Sequence, residues 1–167
     1  MRKFKTLFFV KSSLITLYLA LTIPLPFISN EEFKIISLIL FVLGLFSIVN
    51  ITNDYLETSN QKITYKSSFL SKIFGKKNWE ICWTDIKFIK ALPTSQGSKV
   101  YFLVTNKDEN FLLPQRLENF DEFLLLISKK TGLNVEDLSY ISPLWTYRLL
   151  IFLSLLMIVG EFIAFLI

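Results

Sequence analysis

Three apolar runs set the terms for this chain: Leu7 to Phe27, Phe33 to Ile51 and Leu149 to Ile167. A helix of roughly 20 apolar residues spans the hydrocarbon core of a bilayer, and each run meets that length. Three such runs in 167 residues exclude an ordinary water-soluble domain. The composition agrees: 52% of residues are hydrophobic and 19% charged, against about 25% charged in soluble domains. The apolar excess sits at the two ends, which also excludes a disordered chain, a collagen-like chain and a disulfide scaffold. The first run is too long for the apolar stretch of a secretory signal, and no small-x-small cleavage site follows it. Pro24 and Pro26 mark its end, and the second run begins almost at once. The two therefore read as a helical hairpin turned at Ile28-Ser29-Asn30-Glu31-Glu32.

Orientation follows from the cations. Arg2, Lys3, Lys5 and Lys11 lie before or at the start of the first run, whereas the turn carries two acids and, at its margin, Lys34. Lys and Arg gather on the cytoplasmic side of spanning segments. The N-terminus and the middle section are predicted inside, and the turn and the last residues outside. Arg148, just before the third run, agrees. The chain carries a net charge of +4, yet residues 53 to 146 hold 12 basic and 11 acidic side chains. The basic excess is thus a topology signal and gives no nucleic-acid-binding face, which needs clustered cations on a soluble domain.

The middle section changes period. Ile63, Tyr65 and Phe69 fall on one side of the stretch from Lys62. Trp79, Ile81 and Trp83 alternate with Glu80, Cys82 and Thr84. Ile86 and Phe88 alternate with Lys87, and Val100, Phe102 and Val104 with Tyr101, Leu103 and Thr105. Phe111 and Leu113 continue the rule. Period two in β-branched and aromatic residues predicts half-buried strands. Turn residues separate them at Ser59-Asn60-Gln61, Gly75 to Asn78, Pro93 to Ser98 and Asn106-Lys107-Asp108. The period then turns helical: Phe120, Phe123, Leu124 and Ile127 form one apolar stripe. Asn119 is the expected N-cap with Glu122 as its capping-box partner. Asp121 and Glu122 open the helix, Lys129 and Lys130 close it, and Gly132 suits the residue just past its end.

Antiparallel strands closed by one C-terminal helix are the plan of a pleckstrin-homology-like (PH-like) domain. The chain resembles the bacterial PH-like domains of small membrane proteins in Tyr55-Leu56-Glu57-Thr58, in Ile63-Thr64-Tyr65, in Trp83-Thr84-Asp85-Ile86-Lys87-Phe88-Ile89 and in the helix Asn119 to Lys130. The resemblance implies an α+β fold, a PH-like antiparallel sheet or barrel capped by one helix, with the Trp83 to Ile89 stretch joining two central strands. It implies a binding or scaffolding module. PH domains that bind phosphoinositides carry a long basic loop between their first two strands, where this chain has Ser59-Asn60-Gln61 and then Lys62. The expected layout is a transmembrane hairpin in residues 1–52, a cytoplasmic PH-like domain in 53–132, a linker in 133–148 and a third transmembrane helix in 149–167.

Histidine is absent, which removes the commonest general base and metal ligand. The single cysteine, Cys82, allows no internal disulfide and no thiolate cluster. Flanked by Ile81 and Trp83, it reads as a buried thiol. No nucleotide-binding loop, nucleophile elbow or zinc motif is present, so no catalytic set, cofactor or metal is expected and the protein reads as non-enzymatic. Phe69 to Lys77 mixes apolar and basic residues. Lys72, Ile73, Phe74, Lys76 and Lys77 are candidate lipid contacts, each lysine near an anionic surface contributing about 1 kcal/mol. The plainer reading is a solvated hairpin whose lysines protect an edge strand. Asp85 reads as a strand-end carboxylate accepting backbone N–H groups. Glu161, inside the third run, reads as a pairing site for a partner helix or as a carboxylate near the outer headgroups paired with Lys34. Candidate partner contacts are Trp83, Asp85, Glu118, Glu122, Lys129 and Glu161. The expected function is a scaffold or assembly factor for a membrane complex, in contact with membrane lipids and other membrane proteins. Anionic-lipid binding and a small transporter or channel subunit are the alternatives. The layout is similar to that of photosystem assembly factors, which pair a helical hairpin with a small cytosolic-side domain.

Overall fold

A computed structural model describes residues 1–166. In chain order it contains strand β1 (Arg2–Lys5), helices α1 (Phe8–Thr22), α2 (Leu25–Ile28) and α3 (Glu31–Ile51), strands β2 (Tyr55–Thr58) and β3 (Lys62–Lys66), and the short helix α4 (Phe69–Ile73). Strand β4 (Trp79–Cys82), a single 3-10 turn (Trp83–Asp85), strands β5 (Ile86–Pro93), β6 (Lys99–Thr105) and β7 (Asn110–Leu112), and helices α5 (Phe120–Thr131) and α6 (Leu144–Leu166) follow. The protein is mixed α+β, with two antiparallel sheets ordered β1-β2-β3-β4 and β5-β6-β7. It divides into a sheet unit, Met1–Leu7 with Asn53–Ser142, and a helical unit, Phe8–Thr52 with the residues from Pro143 on.

This division differs from the expected one at two places. The basic tail assigned to the hairpin is β1, whose register on β2 runs from Arg2 opposite Thr58 to Lys5 opposite Tyr55. Phe4 is the reason: it is 4% exposed and its ring lies 5.2 Å from that of Phe123. The expected linker is also shorter, because Leu133, Val135, Leu138 and Tyr140 pack against the core. The Tyr101 hydroxyl donates to the Asp137 carbonyl at 3.0 Å, and the Gln115 amide donates to the Ser139 carbonyl at 2.9 Å.

The core of the sheet unit is built by the two sheets and α5. Leu56, Ile63, Leu103, Phe120, Phe123 and Ile127 are wholly buried in it. Helix α5 buries the four residues of its predicted stripe, Phe120, Phe123, Leu124 and Ile127. Gly132 adopts φ +72° and its N–H closes the helix on the Ser128 carbonyl. The opening of α5 differs from expectation. Asn119 is left-handed, at φ +54°, rather than in the extended conformation of an N-cap, and makes no side-chain cap, while the Glu122 carboxylate pairs with Arg2 of β1. Phe69 is no strand residue either: Ser68 caps α4, its side chain accepting the Ser71 N–H, so a helical knuckle replaces the expected hairpin.

In the helical unit three helices are long and apolar enough to cross a membrane: Phe8–Ile28, broken at Pro24, Glu31–Ile51 and Leu144–Leu166. The third begins earlier than the predicted run 149–167, whose last residue lies outside the described residues. Pro24 cannot donate a backbone hydrogen bond, which separates α1 from α2. Helices α1 and α6 run parallel, since Arg148 lies over the Phe9 ring and Phe27 meets Phe165. Helix α3 returns beside α1, where the Tyr18 hydroxyl donates to the Phe41 carbonyl at 2.9 Å. Gly44 admits that contact: a Cβ there would lie 2.2 Å from the Tyr18 oxygen. Three of the four buried residues of α1 and α6 are small, namely Ser13, Ala20 and Ser154, as close helix packing in an apolar medium favours.

Candidate functional site

Two surfaces of the sheet unit carry chemistry. The first begins at the Trp83 to Ile89 stretch. Trp83 is 4% exposed, and its indole N–H donates to the Ser59 carbonyl at 2.9 Å. Its backbone N–H donates to the Gln61 carbonyl at 3.0 Å. Trp83 is therefore a core lock at the corner where the chain leaves one sheet for the other, and not a partner contact. The stretch joins β4 and β5, each the last strand of its sheet, rather than two central strands. Asp85 also departs from expectation. Its backbone carbonyl accepts the Asn106 N–H at 2.9 Å, while its carboxylate accepts, among the described residues, only the Thr84 hydroxyl, at 3.5 Å.

Beyond this corner runs β5, eight residues paired on one side to β6 with a bulge between Ile86 and Phe88. A bulge rotates the strand and re-aims its side chains. Ile86 enters the core and Ile89 packs against it, whereas Phe88 and Leu92 are each 41% exposed with Lys90 between them. The outer edge of β5 pairs with no strand among the described residues. The edge of β1 is covered, by contrast: Glu118 N–H donates to the Lys5 carbonyl and Leu7 N–H to the Arg116 carbonyl. The helix face bearing Glu118, Glu122 and Lys129 is partly taken by β1 through the Arg2–Glu122 pair, and Lys129 alone of the three is exposed and unpaired among the described residues.

The second surface is the α4 knuckle. Asp54 organises it from the chain segment just before β2. Its carboxylate accepts the Ser68 N–H at 2.8 Å, the Tyr65 hydroxyl at 2.8 Å and the Lys76 ammonium at 2.6 Å. Its side chain is 8% exposed. Burial opposes its ionisation, but the hydrogen bonds from Lys76, Ser68, Ser71 and Tyr65 prevail and hold the carboxyl below its ordinary range. Burial and the adjacent Asp54 raise the Tyr65 phenol. Asn78 completes the frame, its side-chain oxygen accepting the Ser67 N–H and hydroxyl. Lys76 is thus part of the frame, although half of its side chain remains exposed. Lys72, Ile73, Phe74 and Lys77 are exposed, as is Phe69. Period and composition give Asp54 no prominence; an acid three residues past an apolar run, ahead of Ser67-Ser68, is the only local signal.

The remaining candidates are dispersed. Cys82 is exposed, because Ile81 takes the inward position and period two turns Cys82 out. One Glu161 carboxylate oxygen is buried with no hydrogen-bond partner among the described residues. Lys34 pairs with Glu31 at 3.3 Å and not with Glu161. A shallow cleft of about 200 Å³ lined by Glu80, Asp85, Asn106, Lys107 and Glu109 falls below the roughly 300 Å³ floor of ordinary ligand pockets. Among the described residues no three His, Cys, Asp or Glu side chains gather as a metal site.

Over 154 residues, 89% of this chain and 77% of the relative, the sequence is 30% identical to the uncharacterized protein slr0269 of the cyanobacterium Synechocystis sp.. No family model matches the chain, and no solved structure does.

Proposed function

The chain belongs to the family of the Synechocystis protein slr0269, and we propose that it is a non-enzymatic, multi-pass membrane protein whose PH-like sheet domain binds a partner protein in the assembly of a larger membrane complex. The PH-like plan is supported by the four- and three-stranded antiparallel sheets and the C-terminal helix α5. With β1 counted, the connection between the first two strands is the α1–α3 hairpin itself, in the place where phosphoinositide-binding PH domains carry a basic loop. Multi-pass topology is supported by the β1–β2 pairing. Residues before α1 and after α3 are neighbours in one sheet, so the hairpin begins and ends on one side of the bilayer. The cations of β1 favour the cytoplasmic side, and α6 then crosses once.

The observation that carries the binding role is the open edge of β5. A long edge strand presents a row of unpaired N–H and C=O groups, and extended peptides add to such edges. Phe88 and Leu92 give the edge apolar side chains for an incoming strand. Lys87 and Lys90 guard it against indiscriminate pairing. The test is photocrosslinking in intact membranes from probes placed at Phe88, Lys90 and Leu92, with probes at Asn60 and Glu136 as controls. The reading expects one defined adduct from the β5 positions only, lost in Phe88→Glu/Leu92→Glu. Equal adducts from all five positions, or none from β5, overturn it.

A further inference from the structure

Resting on the reading that α3 spans a bilayer, we propose that the α4 knuckle is an interfacial anchor that seats Phe69, Ile73 and Phe74 among the headgroups of an anionic membrane. These three side chains are 70%, 64% and 73% exposed. Single exposed apolar residues are ordinary on protein surfaces, but a cluster of large ones marks an interaction site. Here three fall within six residues. Lys72 sits within the cluster and Lys77 just after it, and neither has an acidic partner among the described residues. Apolar side chains flanked by uncompensated lysines are the composition of segments that lie in the headgroup layer, and each cation adds attraction to anionic lipid.

Two further observations select lipid as the occupant. Asp54 holds both ends of the knuckle, through Ser68 and Lys76, and lies three residues past the end of α3 at Ile51. Three residues reach at most about 10 Å, so the base of the knuckle is tethered within reach of the layer in which α3 ends. The knuckle is also braced in advance. Ser68 caps the helix, and Asn78 accepts both donors of Ser67. Insertion therefore needs little ordering of the backbone, the condition under which weak surface contacts hold.

The test uses the full chain, with Cys82→Ser, reconstituted in vesicles of phosphatidylglycerol and phosphatidylcholine. A fluorophore is attached at Ile73→Cys, at Lys107→Cys as an aqueous control on the sheet unit, or at Leu40→Cys as a membrane control on α3. Lipids carrying a nitroxide near the headgroup are expected to quench position 73 and to spare position 107. Two lysines near an anionic surface shift the inserted-to-lifted ratio about 30-fold, so Lys72→Gln/Lys77→Gln is expected to abolish quenching at 73. Phosphatidylcholine alone is expected to do the same. If acyl-chain nitroxides quench position 40 while position 73 stays bright, the anchor is refuted and the spanning reading survives. No quenching at either position refutes both. Quenching at 73 that persists in phosphatidylcholine, or after both lysines are neutralised, overturns the anionic preference.

Discussion

Asp54 carries more of the local structure than any other single side chain in the sheet unit. Four groups converge on a carboxylate that is nearly removed from solvent, and an amide in its place keeps one acceptor oxygen but turns an N–H2 toward groups that themselves donate. Asp54→Asn is expected to destabilise the knuckle by about 2 kcal/mol, read as faster amide exchange at Ser68 and Ser71 with α5 unaffected. The pH dependence has a definite sign. The folded carboxyl sits below its ordinary value, so the stabilisation is complete above about pH 3.9 and drains away as pH falls through the lower folded value. Asp54→Asn should flatten that acid limb; an unchanged acid profile would contradict the hydrogen-bond assignment. Cys82 offers a second residue-scale check. Because the thiol is exposed, a maleimide is expected to label the folded protein at the rate of the unfolded one, whereas labelling only after denaturation would return Cys82 to the core.

At the scale of elements, each helix packs by a specific local fit. Gly44 faces Tyr18 so closely that any Cβ displaces the phenol and its bond to the Phe41 carbonyl. Gly44→Ala is expected to loosen α3 from α1, by about 1 kcal/mol for the lost hydrogen bond, seen as raised accessibility of a probe at position 41; Tyr18→Phe should reproduce only the hydrogen-bond part. Elements whose period is complete within themselves were legible in the sequence. The α5 stripe and the three long apolar helices needed only their own residues. What escaped depends on distant partners. β1 has one apolar residue, Phe4, too few to show a period, and its identity as a strand rests on Phe123 and β2. At the start of α5 the expected capping box is absent: Asn119 is left-handed, and the Glu122 carboxylate meets Arg2, 120 positions away. The open edge of β5 and the frame around Asp54 were invisible for the same reason: edge status and carboxylate burial are properties of the assembled sheet. Cys82 was misjudged from its neighbours, although its own parity pointed outward.

For the whole molecule, the decisive feature is that the sheet unit is assembled from both sides of the α1–α3 hairpin. Phe4 is the test of that closure. Phe4→Ala is expected to cost about 3–5 kcal/mol, measured by pulse proteolysis as opening of the sheet unit, with α1, α3 and α6 still protected. Loss limited to the first five residues would mean that β1 is an accessory to the fold. The arrangement also imposes a timetable. Arg2 and Thr58 are 56 residues apart, and ribosomes add about 5–20 residues per second. The earliest strand to be made therefore waits roughly 3–11 s for its mate, while the intervening apolar helices are synthesised. Closure of the sheet unit is thus bound to the completion of the hairpin, so a nascent chain halted before Thr58 holds Arg2 with no strand residue opposite it.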